Sequence, residues 1–192
     1  ENIDVVILYP KGKVSDIQEK QLTTLGQNIK ALEVDGTFDD CQDFVKKAFL
    51  DDDIRLKRTL TSANSINIAR WLPQMFYYFL AYQQLMHHKE PLVISVPSGN
   101  FGNLCSGLLA REMGLPIHHF VAANNANDVV TRYLETSKFD PKPSVQTLSN
   151  AMDVGNPSNF IRILELFSKN HSKLKKVVSS YSFTDQQTRV AI

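Results

Sequence analysis

The residues best suited to chemistry lie in a short turn that reads Pro-Ser-Gly-Asn-Phe-Gly-Asn and ends at Asn103. Its two glycines, Gly99 and Gly102, predict a backbone that takes positive φ and approaches a ligand closely. Ser98, Asn100 and Asn103 add short polar side chains that donate hydrogen bonds without adding a charge. A turn that leads into a helix also offers free N–H groups and a favourable dipole to an anion. The segment therefore predicts a phosphate-binding turn.

The elements on either side must position this turn. The apolar run Leu92–Val96 predicts a buried parallel strand, and the pattern over 103–113 predicts a helix. Small residues early in that helix, such as Gly107 and Ala110, let it lie close to the sheet. No Gly-Lys-Ser/Thr follows the turn, and the glycine spacing does not fit GxGxxG. The alternative from the residues alone is an ordinary strand-to-helix turn in which Asn103 only caps the helix.

The segment SVPSGNFGN, which ends at Asn103, resembles the loop of the threonine synthase family, a group of tryptophan-synthase-like enzymes that use pyridoxal 5'-phosphate (PLP). Four other segments resemble that family in the same order: YPKGKVS at Tyr9–Ser15, SANSINIAR at Ser62–Arg70, AANNANDVV at Ala122–Val130 and LSNAMDVGNPSN at Leu148–Asn159. The resemblance extends to about Phe167. It implies an α/β fold of parallel sheets covered by helices, the PLP fold type II, present here in part.

The resemblance also implies an activity and the residues that serve it. The family converts O-phospho-L-homoserine and water to L-threonine and phosphate, as a carbon–oxygen lyase of amino-acid biosynthesis. The residues implied to hold the PLP phosphate are Ser98, Gly99, Asn100, Phe101, Gly102 and Asn103. Those implied to bind the substrate and its phosphate are Asn64, Ser65, Arg70 and Lys13.

The Schiff-base lysine of the family has no counterpart among the lysines of this chain. Lys13 lies inside a family-like motif, and there it resembles a residue that lines the site rather than the Schiff-base lysine. The chain begins in a strand without Met and ends after about two turns of a helix. These features predict an internal fragment that holds no catalytic nucleophile, is inactive alone, and has the remainder of its own polypeptide as a partner.

Arg70 and Asn64 form a second candidate site. Arginine grips phosphate through two parallel hydrogen bonds, and both residues can converge on one anion where a loop enters a helix. The alternative is that Asn67 caps a helix and Arg70 pairs with a carboxylate.

Other polar residues carry weaker predictions. Asn124, Asn125, Asn127 and Asp128 follow a strand at the edge where α/β sheets bind ligands, but we favour helix capping for Asn127 and Asp128. We expect Asn150, Asp153 and Asn156 to order a loop by local hydrogen bonds. Neither His87-His88 nor His118-His119 makes a ready metal site, because neighbouring residues face different ways. We predict no metal.

Composition limits the function classes. The chain has 192 residues, 43% of them hydrophobic and 21% charged, with a net charge of +1. This balance is typical of globular domains and gives no general affinity for nucleic acid or an anionic membrane. The two cysteines, Cys41 and Cys105, lie in apolar helical patterns and indicate buried, reduced thiols. Neither a signal peptide nor a membrane span is evident, and we expect a cytoplasmic protein.

The remaining patterns predict two regions. Residues 1–58 read as β-α-β-α of the smaller domain of a PLP enzyme, with strands over Asp4–Tyr9 and Ile29–Val34 and helix caps at Ser15 and Thr37. Residues 59–192 read as part of the larger domain with the phosphate turn. This second region contains a long aromatic helix from Trp71, expected to be buried between layers. It also contains a strand from Ile117 and a later helix with Asn156 as its cap and Pro157 in its first turn. A solvated basic segment over Ser168–Lys176 follows.

Two other functions stay open from the sequence. One is a different lyase of the same PLP class, such as a serine or threonine dehydratase, whose substrates carry no phosphate. The other is a catalytically silent protein that binds a phosphate-bearing ligand through the same turn.

Overall fold

The computed structural model describes residues 3–64, 67–149 and 153–192. The chain divides into two compact units, Glu1–Leu60 with Ala151–Val154 and Thr61–Asn150 with Gly155–Ile192. The assignment of the sequence before and after residue 58 to a smaller and a larger enzyme domain remains a prediction.

The first unit contains two strands and three helices: β1 (Val5–Pro10), α1 (Asp16–Thr23), β2 (Ile29–Val34), α2 (Phe38–Leu50) and α3 (Asp52–Lys57). The strands are parallel and in register along their whole length. Capping boxes open α1 at Ser15 and α2 at Thr37, where each side-chain oxygen accepts from the third helical N–H. The predicted β-α-β-α order is confirmed.

The second unit begins with a short 3-10 helix, Ile68–Arg70, and then contains the remaining elements: α4 (Trp71–Leu85), β3 (Leu92–Pro97), α5 (Gly102–Glu112), β4 (Ile117–Asn124), α6 (Val129–Thr136), α7 (Phe160–Leu166), α8 (His171–Val177), β5 (Val178–Ser182) and α9 (Asp185–Ala191). The strands form a parallel sheet in the order β3-β4-β5. The predicted α/β class with parallel sheets is confirmed.

The core of the second unit lies around β4 and α5. Phe120 of β4 and Leu108 of α5 are fully buried, and Gly107 allows α4 to approach α5. A Cβ built on Gly107 would lie 2.6 Å from the ring of Tyr78 and 2.7 Å from the ring of Phe120. The small residue is therefore required by the packing, as the sequence predicts.

Several apolar faces are more exposed than predicted. Val6 of β1 is 57% exposed and Val93 of β3 is 52% exposed, because each sheet has helices of this chain on only part of its surface. In α4, Trp71 is buried whereas Phe76 and Tyr77 are 60% and 65% exposed, so the helix buries one face rather than lying between two layers. Pro73 occupies the first turn of α4.

Two local predictions were wrong in the second half of the chain, and one strand was not predicted. The N-cap position of α7 is Asn159 rather than Asn156, and no side chain caps the helix. In the turn before it, the carbonyl of Pro157 accepts from the N–H of Phe160. The basic segment expected to be solvated contains α8, whose Leu174 is only 1% exposed. Strand β5 follows it directly and was not predicted.

Both cysteines are buried free thiols, as predicted. Within the three described ranges, no helix combines the length and the apolar character needed to cross a membrane.

Candidate phosphate-binding site

The candidate turn connects the end of β3 to the start of α5. The N–H of Ser98 donates to the carbonyl of Ala123 at 2.8 Å, which extends the pairing of β3 with β4 by one residue. The Ser98 hydroxyl donates to the carbonyl of Val96 at 2.8 Å. Because both donors of Ser98 are used by the protein, donors for a phosphate must come from further along the turn.

Phe101, not a glycine, takes the left-handed conformation, with φ +63° directly before α5. Neither Gly99 nor Gly102 takes a positive φ, so the prediction that the turn needs glycine for a left-handed backbone is wrong. A non-glycine residue pays about 1–2 kcal/mol for this conformation. The Phe101 ring is buried, edge-on to Phe160 at 5.8 Å, and this packing holds the turn in place.

The turn presents main-chain donors at the start of α5. No carbonyl in the described part of the chain accepts from the N–H groups of Gly99, Gly102 or Asn103, and no side chain caps the helix. The first N–H of α5 that is bonded within the chain belongs to Cys105, which donates to Phe101 at 2.9 Å. Gly99 and Gly102 are half-buried and Asn103 is exposed, so an anion can reach these donors. The arrangement fits a phosphate group.

Asn103 does not cap the helix, which removes the simpler alternative for this turn. Its side-chain oxygen lies 2.6 Å from the hydroxyl of Tyr78, and its carbonyl lies 2.9 Å from the same hydroxyl. Burial raises the pKa of Tyr78 well above its ordinary value, so the hydroxyl stays protonated and donates. Helix α4 thereby fixes the orientation of the Asn103 amide at the mouth of α5.

Asn100 joins the turn to the loop before α7. Its side-chain oxygen accepts from the N–H of Ser158 at 2.8 Å and from the Ser158 hydroxyl at 3.2 Å. Ser158 is a functional candidate that sequence reasoning missed, and the only local signal for it was the polar cluster Asn-Pro-Ser-Asn that ends at Asn159. Asn150, expected to order the same loop, lies outside the described residues.

The second candidate site surrounds the start of α4. Arg70 is exposed, its guanidinium Nη1 donates to the carbonyl of Ala63, and no carboxylate in the described ranges pairs with it. Asn67 caps the 3-10 helix by accepting from the N–H of Ala69 at 3.0 Å. The cap in the alternative interpretation is therefore confirmed, whereas its carboxylate partner is wrong. Asn64 lies in the preceding turn, where its N–H donates to the Ser62 hydroxyl at 3.1 Å.

The other two predicted substrate residues are Ser65 and Lys13. Ser65 lies outside the described residues. Lys13 is exposed between β1 and α1 of the first unit. The pKa of Asp40 is lowered mainly by its hydrogen bonds with Thr37, and the positive charge of Lys13 lowers it further.

The asparagines at the end of β4 and just after it form hydrogen bonds within the protein. The Asn124 amide nitrogen lies 2.9 Å from the Thr131 hydroxyl and 2.5 Å from that of Ser180. Asn127 exchanges two hydrogen bonds with the main chain of Val145, which holds the following loop. Asp128 precedes α6 without a side-chain cap bond and instead accepts from Arg132 at 2.9 Å. Asp128 therefore occupies the predicted N-cap position of α6, but its side chain makes no capping hydrogen bond.

The chain is similar to known threonine synthases in sequence and in structure. It is 57% identical to threonine synthase from Haemophilus influenzae over 171 residues, which cover 88% of this chain and 40% of that protein. The crystal structure of threonine synthase from Escherichia coli matches with a TM-score of 0.92 and 49% identity, over 98% of this chain and 44% of that one. PLP-bound threonine synthase from Brucella melitensis matches with a TM-score of 0.80 and 33% identity, over 98% of this chain and 46% of that one.

The chain spans about two fifths of the length of the curated relatives it matches. No family model matches the chain.

Proposed function

This chain belongs to the threonine synthase family, and from that premise we propose that it supplies the phosphate-binding residues of a threonine synthase. The proposed reaction converts O-phospho-L-homoserine and water to L-threonine and phosphate, with PLP as cofactor. We propose a cytoplasmic enzyme in which the Schiff-base lysine comes from sequence outside these 192 residues. The chain alone is then inactive, and the rest of the polypeptide is its partner.

One observation carries the proposal, namely the main-chain N–H groups of Gly99, Gly102 and Asn103, for which no carbonyl of the described residues is an acceptor. These N–H groups lie at the start of an 11-residue helix, where the partial positive charge of the helix end favours a phosphate. In this arrangement the main chain binds the cofactor phosphate, while Phe101 and Asn100 hold the turn in position through Phe160 and Ser158.

When bound, PLP supplies the electron sink that amino-acid lyases need. The residues of this chain bind and orient. Tyr78 holds the oxygen of Asn103, so the amide nitrogen of Asn103 is the end of the side chain left to donate to the cofactor phosphate.

We propose that Arg70 and Asn64 bind the phosphate that leaves the substrate, with Ser65 and Lys13 also lining the substrate site. Arg70 is suited to this because, among the described residues, its guanidinium donates to the neutral carbonyl of Ala63. Its positive charge is therefore not neutralised by a carboxylate of the described residues. Arginine can bind a phosphate through two of its five donors while a third keeps the carbonyl.

The cofactor part is tested by replacing Asn103 with aspartate in the full-length gene product. The change keeps the size of the side chain and places a carboxylate where a phosphate would bind. We expect the preference for PLP over pyridoxal, measured as the ratio of their dissociation constants, to fall about tenfold or more. The helix itself should not be weakened, because an acidic residue in the first turn is favourable. An unchanged ratio would contradict the proposed site.

The substrate part is tested by Arg70→Ala. Arg189→Ala in α9 is the control, because it removes one positive charge at a residue that is not part of the proposed site. Loss of a charged hydrogen bond of about 1.5–3 kcal/mol predicts a fall in kcat/KM of roughly 10- to 100-fold for O-phosphohomoserine. A dehydratase would instead act on L-serine or L-threonine and keep its kinetics in Arg70→Ala. A silent binding protein would turn over none of these compounds.

A further inference from the structure

A cavity of the second unit lies at the end of the sheet opposite to the phosphate turn. The turn follows the carboxyl end of β3, whereas this cavity of about 430 Å³ lies beside the amino end of β4 and the last residues of α5. We call it the basic pocket and define it by Arg111, His118, Lys173 and Lys176, with Phe167 and Val177 as its apolar floor.

The positive charge of the basic pocket is only partly neutralised. Arg111 forms an ion pair with Glu112 at 3.1 Å, but in the described stretches no carboxylate pairs with His118, Lys173 or Lys176. The two lysines are three residues apart on α8, a spacing at which like charges repel. The pocket therefore holds a surplus of positive charge that an anion would relieve.

Helix electrostatics account for only one of these basic residues. Lys176 lies in the last turn of α8, where a cation is favourable. Lys173 lies in the first turn, where a cation is unfavourable, and Arg111 and His118 come from two other elements. Four basic side chains thus converge on one cavity from α5, β4 and α8.

The walls of the basic pocket are fixed by contacts outside it. The Arg111 Nε donates to the carbonyl of Ile117 at 3.0 Å, which holds its guanidinium against the start of β4. Asn170 caps α8 by accepting from the N–H of Lys173 at 2.9 Å, and Leu174 anchors the helix in the core. The side chains that meet a ligand are therefore carried on a rigid frame.

We propose that the basic pocket binds a small organic anion with a phosphate or carboxylate head and an apolar body. The charges of Lys173, Lys176 and Arg111 would meet the head, and Phe167 and Val177 would meet the body. The cavity volume lies within the range of small-molecule sites. This site is separate from the proposed cofactor and substrate sites and does not depend on them.

The test uses phenyl phosphate as the probe and phenol as its uncharged control, titrated into the 192-residue chain by calorimetry. We expect saturable binding of phenyl phosphate and none of phenol. Lys173→Gln combined with Lys176→Gln should weaken binding about tenfold, since two cationic contacts are lost. Lys175→Gln, on the same helix but outside the pocket, should change it by less than about twofold.

Two further variants separate a site effect from a folding effect. Lys173→Arg combined with Lys176→Arg should keep the affinity, because it keeps both charges. Glu112→Gln should tighten binding by roughly threefold, because it removes the carboxylate that competes for Arg111. A gain in affinity cannot result from loss of structure.

Three results would overturn the inference: no saturable binding, equal weakening by Lys175→Gln and the double glutamine variant, or an affinity that the double variant leaves unchanged. In the last case, loss of binding in Asn103→Asp would place the probe at the phosphate turn. That outcome would reject the basic pocket and leave the proposed function standing.

Discussion

Replacing Gly107 by alanine tests the packing of α4 against α5, on which the position of Asn103 depends. Alanine is the better helix former by about 1 kcal/mol, so helix propensity alone predicts stabilisation. The structure predicts the opposite. The new Cβ would lie 2.6 Å and 2.8 Å from two ring atoms of Tyr78 and 2.7 Å from the ring of Phe120.

The expected change in stability is the difference between the gain in helix propensity and the cost of overpacking. Both rings are buried, Tyr78 at 5% exposure and Phe120 at 0%, so neither can turn into solvent to make room. Overpacking a well-packed core costs about 1–3 kcal/mol, and contacts with two rigid rings place this variant in the upper half of that range. After the gain in helix propensity, we expect a net loss of about 1–2 kcal/mol in the free energy of unfolding.

The assay is urea unfolding followed by fluorescence of Trp71, the single tryptophan of the chain and 5% exposed in the same core. With an ordinary denaturant dependence, the midpoint should fall by about 0.5–1 M while the slope stays the same. Combining Gly107→Ala with Phe120→Leu provides the control. Since the smaller side chain makes room for the new methyl group, the double variant should lose about 1 kcal/mol less than the sum of the single losses. A raised midpoint in Gly107→Ala would refute the reasoning.

Two further predictions concern titratable groups. Burial raises the pKa of both thiols, Cys41 and Cys105, and because the thiolate is the reactive form, neither should react with a disulfide reagent near pH 8 until urea unfolds the chain. Rapid reaction of one thiol in the native chain would contradict this. Hydrogen bonds from the side chain and main chain of Thr37 lower the pKa of Asp40 below its ordinary 3.8. The carboxylate therefore stabilises the fold above that value and loses its effect as the pH falls through the lower, folded-state pKa. The difference in urea midpoint between the wild type and Asp40→Ala should be constant from neutral pH to about pH 4 and shrink below it, and a difference that grows in acid would contradict the assignment.

Local signals predicted much of the fold. The apolar runs of β1 and β3 indicated parallel strands, because a strand of a parallel sheet has a largely apolar sequence. The caps at Ser15 and Thr37 were readable because a capping box depends on residues only three apart. Strand β5 was missed because its serines give it a polar sequence, and its place in the sheet depends on pairing with β4 more than fifty residues earlier.

The candidate site was predicted in position but not in detail. The turn lies between a parallel strand and a helix, as its sequence indicates. The partner of Asn100, however, is Ser158, 58 residues away, and no local pattern encodes that contact. The left-handed residue is Phe101 because ring packing in the core outweighs the local preference for glycine. Phosphate binding by Arg70 stays a prediction.

The buried ring of Phe101 links the proposed phosphate turn to the composition of the core, which matters for protein engineering. Phe101 packs on Phe160, which in turn contacts Tyr133 at 5.2 Å and Phe139 at 5.5 Å. A library that randomises Phe139 or Phe160 to raise thermal tolerance will also change the φ and ψ angles of Phe101, and with them the direction of the N–H groups beyond it. Selection for heat resistance and selection for anion affinity therefore act on the same aromatic residues in this protein.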